Sequence, residues 1–144
     1  MKDIRKDIIE IINNSELAFL STINLENFPE TRVMSNEFNR NIDENLSIYF
    51  ACGTNSPKFD QVIKNSVASL YYFIAENMKN MILFGKVEII NDKSLKDILW
   101  KDDLRQYFPG GKEDELYGIL RFVPIGYKYY IFTDGAFQKI EGKF

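Results

Sequence analysis

Arg32–Lys58, RVMSNEFNRNIDENLSIYFACGTNSPK, is the stretch on which the reading of this chain turns. It reads as strand, loop, strand, then a helix opening on Ser56-Pro57-Lys58, with alternating Leu46, Ile48 and Phe50 in the second strand. Ser56 suits the N-cap, where its hydroxyl can accept from N–H groups of the first turn. Pro57 suits the first helical position, where a missing N–H costs nothing. Unpaired N–H groups, the positive end of the helix dipole and Lys58 together form an anion site, most naturally for a phosphate. Arg32, at the end of the preceding strand, can bring a planar two-pronged donor to the same anion.

Outward from this stretch, Ile4, Ile8, Ile11 and Ile12 recur at helical spacing among charged residues, which predicts an amphipathic helix over 3–13. A strand over 18–23 and its partner over 30–36 flank a turn in which Asn27 can take the left-handed conformation, and a third strand covers 46–52. Phe59, Val62 and Ile63 mark one face of the helix that starts at Ser56. Val67–Ile74 is rich in β-formers and apolar on both faces, as a central strand would be. The next strand, 80–90, contains Gly85, which signals a bulge, a barrel bend or close approach of another group. A helix is expected over 92–108 with Leu95, Ile98, Leu99 and Trp100 on its apolar face, broken by Pro109-Gly110-Gly111. Strands over 117–123 and 127–132 follow, joined by a Pro124-Ile125-Gly126 turn, and the tail after Thr133 either adds a short strand or covers an edge. Short connections between neighbouring strands favour an antiparallel sheet closed on itself. The expected fold is mainly β: a small antiparallel split β-barrel with flanking helices, one domain over residues 1–144.

Composition bounds the function. Twelve Phe, eight Tyr and one Trp are more ring area than a small core hides, so some should line a cavity or a subunit interface. A formal charge of −3 argues against nucleic acid, and no apolar run is long enough to span a bilayer. The charged N-terminus argues against a signal peptide, and a single cysteine, Cys52, fits a reducing cytoplasm. With no histidine, His-ligated haem, most catalytic zinc sites and every Ser-His or Cys-His nucleophile are excluded. Neither a dinucleotide-binding glycine fingerprint nor a P-loop is present, and the acidic pairs Asp102-Asp103 and Glu113 to Glu115 read as solvated charges.

Taken in order, Arg32-Val33-Met34, Phe50-Ala51-Cys52, Ser56-Pro57-Lys58, Asn65-Ser66-Val67, Gly85-Lys86-Val87-Glu88, Phe108-Pro109-Gly110-Gly111 and Pro124 with Tyr129-Tyr130 form a recognisable series. The chain resembles, over nearly its whole length, the pyridoxamine 5′-phosphate oxidase-like FMN-binding split-barrel flavoproteins, most closely their short general-stress-protein branch. The resemblance implies that Arg32, Ser56 and Lys58 hold the FMN phosphate, that backbone around Val33 and Met34 lies along the flavin ring, and that Asn80 hydrogen-bonds the ring. It implies a homodimer with two flavins at the subunit interface. Cys52 stands where the family often has Thr, and a thiol is the poorer donor to a phosphate or ribityl oxygen. Asn27 replaces a turn glycine and Tyr130 a tryptophan. The true oxidases carry a lysine near Glu37 and a histidine-bearing C-terminal segment; their absence argues against vitamin B6 oxidation itself.

The expected function is that of a cytoplasmic FMN-dependent oxidoreductase passing hydride between a small molecule, with NAD(P)H as a possible donor, and the flavin. No protein acid or base is identified near the ring, and no residue is assigned as catalytic or as a metal ligand. Two alternatives stand beside it: a split barrel using a deazaflavin, and a flavin- or small-ligand-binding stress protein without turnover.

Overall fold

The computed structural model describes residues 4–42 and 44–144; residue 3, where the first helix was expected to begin, lies outside them. Helix α1 (Ile4–Asn14) buries Ile8, Ile11 and Ile12. The hairpin of β1 (Leu17–Ile23) and β2 (Pro29–Ser35) turns through Asn27, which is left-handed at φ 67°. The Asn24 side chain holds that turn by accepting from the N–H groups of Glu26 and Phe28, both at 2.9 Å. Strand β3 (Ile48–Gly53) leads into α2 (Pro57–Lys64), then β4 (Val67–Ile74) and β5 (Lys79–Ile90). Helix α3 (Lys93–Leu99) follows, then β6 (Tyr117–Thr133) and β7 (Ala136–Lys143).

All pairings are antiparallel, in the order β2-β1-β4-β5-β6-β3, with β7 on the far half of β6. The two ends of that path, β2 and β3, do not pair with each other, so the curled sheet is a split barrel. Its interior holds Leu20, Met34, Phe50, Leu70, Leu83 and Phe122, closed by α1 and by Val62 of α2. A second cluster of Leu104, Phe108, Tyr117 and Ile119 lies with Trp100 on the outside of β3 and β6.

A polar network sits inside. Asn36 donates to the carbonyls of Ile12 and Ser15 at 2.7 and 2.8 Å, while its own oxygen accepts from Tyr72 Oη and Asn39 Nδ2. Each side-chain group thus finds partners, which is the condition for keeping polar atoms at full burial.

Four expectations about elements are corrected. Strand β3 starts at Ile48, because Leu46 turns left-handed at φ 52° to put its side chain in the core. Helix α3 stops at Leu99 instead of running to 108: Trp100 goes extended, and a 3-10 turn, Asp102–Gln106, continues the chain. Trp100 packs edge-on against Tyr117, ring centroids 5.1 Å apart. Pro124-Ile125-Gly126 is not a turn between two strands but a bulge within one, since Gly85 pairs with Pro124 and Phe84 with Gly126, leaving Ile125 over. Proline is tolerated there because a bulge asks for no ladder N–H. Finally, the Ser56 hydroxyl makes no capping bond, although Ser56 occupies the N-cap position.

Candidate functional site

The failure of β2 and β3 to meet leaves a cavity of about 550 Å³ in the seam. Val33, Met34 and Ser35 line it from β2, Ala51, Cys52 and Gly53 from β3. Both are edges of the main sheet path, so main-chain groups along the seam are free of ladder partners on that side. Lys58 enters from the mouth of α2. A volume of this size falls in the range of small-molecule and cofactor sites, roughly 300–1,000 Å³.

Lys58 is half-buried, and among the described residues no carboxylate forms an ion pair with it. Burial pushes its ammonium below the ordinary lysine value; the Cys52 thiol opposes that shift and the Arg32 charge adds to it. Arg32 and Lys58 are therefore close enough to repel. Two residues before Lys58, the Ser56 Oγ is buried with no hydrogen-bond partner. At the same helix mouth Pro57 has no N–H, and the Phe59 N–H returns to the Ser56 carbonyl at 3.1 Å. The first turn thus offers fewer free N–H groups than the sequence suggested, and the charge of Lys58 and the orphaned hydroxyl carry more of any anion binding.

Arg32 points to the barrel side of β2 and is already engaged. Nη1 donates to Thr22 Oγ1 at 2.6 Å and to the Leu20 carbonyl at 3.3 Å, and Nη2 to Gln61 Oε1 at 3.2 Å and Glu30 Oε2 at 3.4 Å. Glu30 is exposed, its carboxyl held below the usual range by hydrogen bonds from Asn24 and Gln61, with the Arg32 charge adding to them. An anion reaching Arg32 would have to use its Nε or take the place of Glu30.

Cys52 is buried, and burial pushes its thiol up to about 11 against the pull of Lys58. It faces the cavity as a neutral S–H. Val33 and Met34 also line the cavity; Arg32 and Ser56 are not among its lining residues, although Ser56 stands two residues from Lys58, which is. Asn80 is elsewhere: it is the second residue of β5, pairs across to Phe73 and Tyr130, and gives its side-chain N–H to the Met78 carbonyl at 3.2 Å. It alternates with buried Met81 and Leu83, so it belongs to the outer face of the sheet.

Sequence reasoning missed several residues here. Gln61 and Thr22 bind Arg32, and the one signal for Gln61 was a polar residue on the otherwise apolar face of α2. Glu37, Phe38, Asp103, Tyr107 and Phe108 also line the cavity. No local pattern marks them, because a 3-10 turn, Glu37–Asn39, and the segment after α3 bring them there.

Among solved structures, a protein from Clostridium acetobutylicum related to general stress protein 26 of B. subtilis, of the pyridoxinephosphate oxidase family, superposes with a TM-score of 0.80 at 22% identity, over 96% of this chain and 93% of that one. A pyridoxamine 5′-phosphate oxidase-related, FMN-binding protein from Nostoc punctiforme gives 0.70 at 16% identity, over 99% and 97%. A haem-binding protein from Mycobacterium smegmatis gives 0.73 at 9% identity, over 97% of this chain but 58% of that one. Such identities establish a shared fold. No curated protein matches the sequence. The family model described as pyridoxamine 5′-phosphate oxidase like matches residues 3–140, and with almost the whole chain covered, this protein belongs to the pyridoxamine 5′-phosphate oxidase-like family.

Proposed function

We propose that the protein is an FMN-binding oxidoreductase that works as a homodimer on a small molecule, in the cytoplasm. The observation that carries the cofactor is the mouth of α2, where a half-buried lysine stands two residues from a buried hydroxyl, the one without an ion pair and the other without a hydrogen bond among the described residues. Both features fit a phosphate dianion, which accepts a hydrogen bond from the hydroxyl and neutralises the ammonium. In this reading Lys58 and Ser56 hold the phosphate, and the nearby Arg32 charge strengthens the field. Val33 and Met34 would present the free edge of β2 to the ring, and Cys52 would offer a neutral S–H. FMN, when bound, supplies hydride transfer. The protein's part is to orient it in the seam and screen one side from water. A haem is the poorer fit, because the chain has no histidine and its one thiol is held neutral by burial.

The homodimer rests on the outer sheet face. Phe19, Tyr71, Phe73 and Phe84 are each 37–42% exposed there, beside Val33 at 53%. Asn80 lies on the same face, so its proposed contact with a flavin requires the ring held by a second copy of the chain.

The test is direct. Protein as purified should carry a flavin absorption spectrum and release FMN, identified by mass, on denaturation. Colourless protein that takes up no added FMN ends the proposal. In Lys58→Ala the affinity for FMN should fall by about 1.5–3 kcal/mol, the scale of a charged hydrogen bond. NAD(P)H oxidation by the loaded protein with a series of acceptors then separates turnover from simple binding.

A further inference from the structure

The acceptors that hold Arg32 are, with one exception, uncharged. Nη1 is shared between the Thr22 hydroxyl and the Leu20 carbonyl, and Nη2 reaches the Gln61 side-chain oxygen at 3.2 Å. The exception, Glu30, is the most distant of the four at 3.4 Å and lies on the solvent side, its side chain 49% exposed. Gln61 joins these groups. Its Oε1 accepts from Thr22 Oγ1 at 2.6 Å as well as from Arg32, and its Nε2 donates to Glu30 Oε2 at 3.1 Å. Turning the amide over would set an NH2 against the guanidinium and a carbonyl oxygen against the carboxylate, so its neighbours fix its orientation. Gln61 and Thr22 are both buried, which makes the arrangement part of the packed interior.

We infer that Gln61 is a positioning residue for the phosphate site: it fixes the Arg32 guanidinium through a neutral oxygen, so that the charges of Arg32 and Lys58 stay uncancelled for a dianionic phosphate monoester.

Gln61 and Lys58 stand three residues apart on α2 and so share one face of the helix. The helix that carries the ammonium thus also carries the group that holds the guanidinium, and one rigid element sets both cations. Two like charges brought together are ordinarily relieved by a carboxylate, and Gln61 stands where that carboxylate would go. A glutamate of the same shape would accept the same two hydrogen bonds and also neutralise Arg32. The amide accepts them and leaves the charge in place. Among the described residues, Arg32 Nε and Ser56 Oγ make no hydrogen bond, so donors remain for an anion once the guanidinium is anchored. Glu30, exposed and at the longest contact, is the negative group that an arriving phosphate can displace.

The inference rests on the proposed phosphate site, and its test keeps the two apart. FMN and riboflavin, which differ only in the phosphate, are titrated into flavin-free protein at about pH 7.5, where the phosphate is largely dianionic. Inorganic phosphate is the third probe. The decisive variant is the exchange of Glu30→Gln with Gln61→Glu. It keeps the net charge and offers a partner for every hydrogen bond of the network, but moves the negative charge from the exposed position to the one beside Arg32. Its FMN affinity should fall by about tenfold or more while riboflavin affinity stays within about twofold. Glu30→Gln alone should keep the preference for FMN. Gln61→Met, similar in volume, removes the anchor without adding charge and should weaken FMN more than riboflavin; it serves if the exchange variant melts early. An exchange variant that still prefers FMN as the wild type does, a loss of the preference in Glu30→Gln alone, or an equal fall for both flavins in Gln61→Met overturns the inference. Wild-type protein that refuses both flavins, yet binds phosphate and loses it in the exchange variant, sinks the flavin and not the role of Gln61. Protein that binds neither FMN nor phosphate removes both.

Discussion

A lysine ammonium that is half-buried without a carboxylate beside it has lost part of its water and gained no counter-charge, so folding the ligand-free chain works against it. For Lys58, whose folded pKa is pushed below the ordinary 10.5, that penalty is present at neutral pH and fades as pH rises toward 10.5. Lys58→Met should therefore raise the melting temperature of ligand-free protein at pH 7, by a few degrees if relieving the charge is worth about 1 kcal/mol, while weakening FMN. A melting temperature that falls in urea-free buffer would mean the ammonium serves the fold and not a ligand. Cys52 gives a second check. With its thiol pushed up to about 11, the thiolate fraction at pH 8 is lower by roughly two orders of magnitude than for a free cysteine. Iodoacetamide should modify it at least that much more slowly than a cysteine peptide; a rate within tenfold would place the thiol in an open, ionising setting. The charges at the helix mouth were legible because Ser56, Pro57 and Lys58 are neighbours in sequence. The occupation of Arg32 was not, since Thr22 and Gln61 reach it only through the β1–β2 pairing and the docking of α2.

Elements were read well where their signal is local and badly where a distant partner overrides it. Val67–Ile74 is a strand with the limits expected from its β-formers, and Asn27 turns left-handed as its side chain permits. Pro124-Ile125-Gly126 has the composition of a turn, yet the long β5 runs past it and absorbs it as a bulge. Past Leu99 the helical pattern continues on paper, but burying Trp100 on Tyr117 takes the backbone out of the helix. Asp134 and Gly135, both at positive φ, close the hairpin to β7, a pair that favours a tight two-residue turn. Gly85 shows how strictly the bulge is built. A Cβ there would stand 2.2 Å from the Val123 carbonyl oxygen and 2.9 Å from its carbon, so backbone would have to move. Gly85→Ala should cost about 3 kcal/mol or more in urea denaturation, or prevent folding. Gly135→Ala, at φ 78° with nothing within 4 Å, should cost only about 1–2 kcal/mol, the price of a left-handed alanine. Equal losses at the two positions would mean that the close approach at the bulge is not what the glycine is for.

At the scale of the whole molecule, four of the exposed aromatic residues, Phe19, Tyr71, Phe73 and Phe84, gather on one side of the sheet. Phe19 pairs across to both Val33 and Tyr71, Tyr71 pairs to Ile82, and Ser69 beside it pairs to Phe84, so four strands share one apolar outer face. Monomers rarely expose contiguous apolar patches beyond a few hundred Å², and a stable dimer buries on the order of 800 Å² per subunit. A second copy meeting this face would let Asn80 and the cavity edge at Val33 serve the one site proposed above, although they stand three strands apart in one chain. Tyr71 lies at the centre, its ring centroid 6.4 Å from that of Phe19, and is exposed enough that a charge there spares the core. Tyr71→Glu should therefore leave the far-ultraviolet circular dichroism unchanged while converting a dimer to a monomer in sedimentation at micromolar concentration. FMN affinity should fall in the same variant, since a site that borrows Asn80 from a partner is incomplete in a monomer. A wild-type protein that sediments as a monomer with FMN bound would remove the shared site, and the apolar face would then need another occupant. A dimer that survives Tyr71→Glu would move the interface off this face, and with it the role of Asn80.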